Sequence, residues 1–161
     1  MQNHLKAIEL LQDWSKWLVG INSAAIGAVG ALTTRPSYDL QAMSSATLLC
    51  GACATALFLV SLAFSNWLLL ALPGVVQRAS EHSGADVYAE GTYGGVGHRV
   101  VFFARGQHVF FLAGMLAAVA FVIAPHHPLC ALFVLAVSAV SLAKPVAELI
   151  RNPERYRVPP L

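Results

Sequence analysis

The residues best suited to chemistry are two cysteines, Cys50 and Cys53, spaced as Cys-Gly-Ala-Cys. Such a pair near a helix start can cycle between dithiol and disulfide, because helix position and neighbouring groups lower the pKa of a thiol. A second group, His126, His127 and Cys130, gathers soft and borderline metal ligands in one short stretch. A structural zinc site takes four well-spaced ligands and a copper site an equally defined set. No fourth ligand accompanies these three, so neither a metal nor a haem cofactor is expected. His98 and His108 stand at the far end of a different apolar run and cannot share one haem with them. A third group is polar rather than reactive: Asn22, Asn66, Gln107, His108 and Lys144 each interrupt or border an apolar run. Every group also has a plainer reading. The small residues around Cys50 and Cys53 suit close helix packing, His126 and His127 suit a polar turn, and polar side chains inside a bundle serve as glue between helices.

The elements that must position these residues are membrane-like. The chain is 57% hydrophobic and only 11% charged, against roughly 25% charged in soluble domains, and its mean hydropathy is +0.65. The apolar residues fall into four blocks, 17–34, 44–72, 100–124 and 129–150, within a single domain, 1–161. Residues 44–72 contain no Asp, Glu, Lys or Arg; at about 1.5 Å per helical residue they reach roughly 43 Å, more than a bilayer's hydrocarbon core. Residues 2–16 read as an amphipathic helix in front of the first span. Leu5, Ile8, Leu11 and Trp14 recur at threes, and Lys6, Glu9, Asp13 and Lys16 form a stripe of mixed sign. Trp14 and Trp17 suit the headgroup region. Gly20, Ala24 and Ala28, with Ser23, Gly27 and Ala31, follow the small-xxx-small spacing that lets helix backbones approach. Pro36 ends the first helix after Arg35. Pro73 and Gly74 are expected to stop the second, leaving 73–97 as a polar loop with a short surface helix at 75–82. Pro125-His-His-Pro128 makes a tight return, and the tail 151–161, with three arginines and three prolines, is not expected to pack as a helix.

Four spans put the N-terminal stretch, the 73–97 loop and the tail on one side. That side gathers Lys6, Lys16, Arg78, Arg99, Arg105, Lys144, Arg151, Arg155 and Arg157, and the other holds Arg35 alone. The positive-inside rule then makes both termini cytoplasmic, in a bacterial inner membrane. Cys50, Cys53, Cys130, His126 and His127 fall toward the outer, oxidising side. On Cys50, Cys53 and the helix count, the chain resembles the membrane thiol oxidases that reoxidise periplasmic disulfide carriers with quinone. That family carries a second cysteine pair in a sizeable loop between spans three and four. Here the connection is the turn 125–128 and Cys130 stands alone, so the relay lacks a thiol. Sorted by depth, Asn22, Asn66, Gln107, His108, Ser141 and Lys144 share the cytoplasmic third of the bilayer, where polar groups must find partners or water. They form either a polar vestibule or interhelical glue.

The expected fold is therefore an all-α, up-down-up-down bundle of four transmembrane helices. The expected function is non-enzymatic helix association, as a pore or channel-like oligomer or an accessory or immunity-type subunit, in contact with lipid and with copies of itself or other membrane subunits. A periplasm-facing thiol oxidoreductase working through Cys50 and Cys53 ranks second, and a metal- or haem-binding membrane subunit third. The glycine run Gly94-Gly95-Val96-Gly97 lacks the Lys-Ser/Thr ending of a phosphate loop. No Ser/His/Asp set, paired carboxylates or basic-aromatic surface for nucleic acid stands out.

Overall fold

The spacing of inward-facing residues dictates how the helices pack. A computed structural model describes residues 2–34, 44–81 and 96–151, in which four helices follow one another: α1 (Gln2–Thr33), α2 (Ser45–Glu81), α3 (Val96–Ile123) and α4 (Pro128–Arg151). On α1 the buried and half-buried positions Ile8, Leu11, Ser15, Leu18, Asn22, Ala25, Val29 and Leu32 advance by alternate steps of three and four. The same rhythm runs through Thr47, Gly51, Ala54, Phe58, Ser61, Ser65, Leu68 and Leu72 on α2, and through Val100, Gln107, Gly114 and Phe121 on α3. A seven-residue repeat keeps one seam of each helix facing its neighbour at a shallow crossing angle.

Helix ends follow local chemistry, with three departures from expectation. Ser44 caps α2 by accepting the Thr47 N–H on its Oγ at 3.2 Å. Pro128 opens α4, where its missing N–H costs nothing. The His127 carbonyl takes the Ala131 N–H at 3.0 Å, and the His126 and His127 N–H groups return to the Ile123 carbonyl at 3.1 and 2.8 Å, closing the expected tight turn. The first departure is that residues 2–16 and the first span are one uninterrupted helix, because neither Gly nor Pro separates them and the repeat runs through both. The second is that α2 does not stop at Pro73 but continues to Glu81. Pro removes one ladder bond, while Leu68 and Leu72, packed with Ile8 and Val100, anchor the helix in the turn that leads into it. The third is that α3 begins at Val96, inside the expected glycine loop. The expected loop residues 35–43 and 82–95 and the tail residues 152–161 lie outside the described residues.

Successive helices are antiparallel. Asn22 meets Ser61, Ile8 lies with Leu72 and Val100, and Ser138 of α4 donates to the Ala113 carbonyl at 3.0 Å. α2 and α3 share the largest interface; α1 leans mainly on α2, and α4 mainly on α3. Phenylalanines seated on glycines hold the α2–α3 pair together. A Cβ added to Gly106 would collide with the Phe64 ring, one on Gly114 would come within 2.8 Å of Phe58, and one on Gly51 within 3.1 Å of Phe121. Phe64 also stacks on Phe110 with centroids 5.4 Å apart and meets Phe102 edge-on at 5.3 Å.

Among the described residues two helices are long and apolar enough to cross a membrane, over Ser45–Pro73 and Phe102–Ile123, yet only 33% of the most apolar stretch of each is buried. Their outward faces carry Leu48, Leu59, Leu70, Leu112, Val119 and Val122. The apolar part of α4, Pro128–Lys144, is shorter, and exposes Leu129, Phe133 and Val140.

The ring-on-glycine packing predicts that Gly114→Ala lowers the thermal unfolding midpoint in mild detergent, overpacking costing about 1–3 kcal/mol. Gly27→Ala, whose new Cβ meets nothing within 4 Å, is expected to hold or raise the midpoint, since Ala favours helix over Gly by about 1 kcal/mol. Equal midpoints for the two variants would refute this packing.

Candidate functional site

Most of the buried apolar residues fall into two clusters, Leu18 and Ala113 lying outside both. One, toward the N-terminal end of α1, contains Ile8, Leu68, Leu72 and Val100; the other contains Val29, Cys50, Ala54, Phe58, Ala117, Ala120, Phe121, Ala124 and Ala131. Between them the same seams carry polar side chains, Ser15 and Asn22 of α1, Ser61 and Ser65 of α2 and Gln107 of α3, every one of them fully buried. Asn22 Nδ2 donates to Ser61 Oγ at 3.1 Å, and Ser61 Oγ donates to the Gln107 backbone carbonyl at 2.8 Å, so one serine ties three helices. Ser65 Oγ returns to the Ser61 carbonyl at 3.0 Å and Ser15 Oγ to the Leu11 carbonyl at 2.9 Å. Three atoms of this layer have no protein partner: Asn22 Oδ1, Gln107 Nε2 and Gln107 Oε1. An unpaired buried polar group costs about 1–3 kcal/mol.

A second polar contact lies at the edge of the layer. Trp14 Nε1 donates to His108 Nε2 at 2.5 Å, and the rings are within 10° of parallel with centroids 5.8 Å apart. The other ring nitrogen, Nδ1, lies 2.5 Å from the Ala104 carbonyl. An acceptor at Nε2 and a donor at Nδ1 together specify the neutral imidazole protonated on Nδ1.

Of the polar residues singled out by depth, Asn22 and Gln107 come together through Ser61, and His108 pairs with Trp14 instead. Asn66, Ser141 and Lys144 are exposed. Asn66 follows Ser65 by one residue, which turns it about 100° away from the seam. Depth alone does not make neighbours; facing does. Ser61 and Ser65 join the layer although neither hydroxyl is reactive in type; the signal that places them there is the seven-residue repeat with Ala54 and Leu68, which turns both inward.

The cysteines and the turn histidines do not assemble. Cys50 is fully buried in the apolar cluster that contains Phe58 and Phe121, Cys53 is half-buried beside it, Cys130 is exposed on the first turn of α4, and all three are free thiols. His126 and His127 are exposed on the turn. Among the described residues no three His, Cys, Asp or Glu side chains converge as metal ligands. No family model matches the chain, and no curated protein or solved structure is significantly similar to it.

Burial orders the thiols for reaction. In the folded protein a maleimide is expected to modify Cys130 first, Cys53 more slowly, and Cys50 only on unfolding, as followed by intact-mass spectrometry. Native labelling of Cys50 as fast as Cys130 would show that the thiol is accessible after all and would reopen its redox use.

Proposed function

We propose that the chain is a four-span inner-membrane protein, with both termini cytoplasmic, that acts by helix association through the outer face of α1, its partner being a second copy of itself. The observation that carries this reading is a contrast among the described glycines. Gly51, Gly106 and Gly114 each seat a phenylalanine ring, whereas a Cβ on Gly20, Gly27 or Gly30 meets nothing within 4 Å. The α1 glycines therefore do no packing work inside the described chain. Gly20, Ala24, Gly27 and Ala31 line one exposed stripe with steps of four, three and four. Beside it an open groove of about 370 Å³ is lined by Lys16, Trp17, Gly20, Ile21 and Ala24. Small residues at this spacing let two helix backbones meet closely in lipid, where association rests on van der Waals contact. A stripe that meets its own copy across a two-fold axis satisfies both subunits with one surface.

The membrane reading is supported by a common level across the helices. Six residues from the Asn22 and Ser61 pair, in each helix, lie Lys16 and Trp67. All three tryptophans fall near that level and are exposed, Trp14 by 50%, Trp17 by 70% and Trp67 by 61%. Arg105 lies two residues from Gln107 on the side of that level, and the register of Ser138 on Ala113 puts Lys144 at about the height of Gln107, so both long side chains extend toward that level from just inside it. Tryptophans with Lys and Arg at one height are the signature of a headgroup boundary. From that height to the far helix ends each helix is about 17–24 residues long, or roughly 25–36 Å at 1.5 Å per residue, close to a bilayer's hydrocarbon thickness. The N-terminal part of α1 and the C-terminal part of α2 then stand in the cytoplasm around Ile8, Leu68, Leu72 and Val100. The outward face of α1 above Trp17 carries one hydroxyl residue below its last turn, Ser23, whose Oγ is satisfied by the Val19 carbonyl at 2.8 Å. So apolar a face favours a packing subunit over the lining of a conducting pore.

Gly27→Leu is expected to convert a dimer into a monomer in lipid nanodiscs, by native mass spectrometry, without lowering the thermal midpoint. A wild-type protein that is monomeric in both nanodiscs and mild detergent would overturn the association reading. For topology, a membrane-impermeant maleimide is expected to label Cys130 in spheroplasts, while a Lys16→Cys protein lacking the native thiols reacts only after permeabilisation. The reverse pattern would invert the orientation.

A further inference from the structure

We infer that the layer formed by Asn22, Ser61 and Gln107 is a binding site for internal water, held between the two apolar clusters. It is independent of the association stripe, since Asn22 faces α2 while Gly27 faces away from the chain. Two fully buried carboxamides in one three-helix layer leave Asn22 Oδ1, Gln107 Oε1 and Gln107 Nε2 without partners. Nearly all buried polar atoms in folded proteins are paired with protein or ordered water, so such a concentration of unpaired atoms calls for a ligand.

The chemistry of the three atoms selects which ligand. Two are acceptors and one is an amide nitrogen with hydrogens to give. Water donates twice and accepts, so it serves all three; two waters are needed if one cannot reach both ends of the Gln107 carboxamide. A monovalent cation would take the two oxygens as ligands but leave the Gln107 Nε2 hydrogens without an acceptor. An apolar molecule would satisfy none. The protein supplies no internal substitute, because Ser61 Oγ is already engaged with Asn22 and with the Gln107 carbonyl, and Ser65 and Ser15 are turned back on their own helices. The location also permits filling. Asn22 is five residues from Trp17 and six from Lys16, about 8–9 Å along the helix, which puts the layer about a turn and a half inside the tryptophan level. Water bridging at this depth is enthalpically nearly as good as a direct hydrogen bond.

The test is proton-detected solid-state NMR of the whole protein in lipid bilayers, following magnetisation transfer from water to side-chain amides. Asn22→Leu and Gln107→Met identify the two amide signals by deleting them. Transfer to the Gln107 Nε2 and Asn22 Nδ2 protons is expected to build up several-fold faster than transfer to the backbone amides of Phe58 and Leu68 in the flanking clusters. Build-up as slow as at those residues would mean a dry layer and would overturn the proposal. So would a shift of the two amide signals on adding sodium at constant ionic strength, which would assign the oxygens to a cation. Stability supplies an independent readout. If water bridges the layer, Gln107→Met discards satisfied bonds and the folded-to-unfolded ratio falls by about threefold per bond. If the carboxamide is dry, the same change removes an unpaired polar group, and a rise in that ratio overturns the proposal.

Discussion

The seating of aromatic rings on glycines between α2 and α3 is the constraint on which the other contacts depend. Phe64 over Gly106, Phe58 over Gly114 and Phe121 over Gly51 interlock the two helices at three heights, with rings offered from both sides. A ring in a glycine notch fixes the axial position of one helix against the other, because a shift of one residue would drive the ring into a side chain. That fixed register brings Ser61 Oγ to the Gln107 carbonyl. It also leaves α1 to lean on α2, and α4 on α3, as outer members of the assembly.

Within that frame the polar layer carries a cost that apolar residues would avoid. Ser61 ties α1, α2 and α3 through two hydrogen bonds, but the three unpaired atoms of Asn22 and Gln107 weigh against that gain. Interhelical hydrogen bonds in membrane proteins average only about 0.6 kcal/mol. What such a layer provides is register: a polar residue at one position of a seven-residue repeat penalises every alignment that leaves it facing an apolar neighbour. Water at the layer would reconcile the two effects, relieving the unpaired atoms while keeping the alignment they specify.

The exposed surfaces follow a different logic from the seams. Large apolar side chains, chiefly leucine and valine, mark the outward faces of α2, α3 and α4, while α1 beyond Ile21 turns mainly glycine and alanine outward. Bulky apolar side chains are well solvated by lipid chains, and small ones leave a groove that a second helix fills better. The proposed division of labour is thus between an inner pair of helices that makes the fold and an outer helix that makes the association.

How much of this was legible in the sequence differs from one residue class to another. Composition and the long uncharged run of residues 44–72 were enough for an all-helical chain with apolar helices, because burial of backbone polar groups in apolar surroundings leaves the helix as the simplest solution. The turn at Pro125-His-His-Pro128 was equally plain, since two prolines that close leave room only for a reversal. Pro73 misled, because a proline's local cost is visible in the sequence whereas the packing of Leu72 that offsets it is not. The polar residues were countable, but their grouping was not. Asn22 and Gln107 meet through Ser61, while Asn66 and Lys144 face outward, and a rotation of 100° per residue is decided by which seam the neighbouring helix occupies. The cysteine spacing advertised redox chemistry, yet only packing decided that Cys50 lies at the centre of an apolar cluster. Where the apolar helices lie and how apolar they are could be read from the chain directly, because those are local properties; the continuation of α2 past Pro73 and the start of α3 at Val96 could not. Which glycines hold a ring, which remain bare and which polar atoms lack a partner are relations between helices, set by how the helices pack.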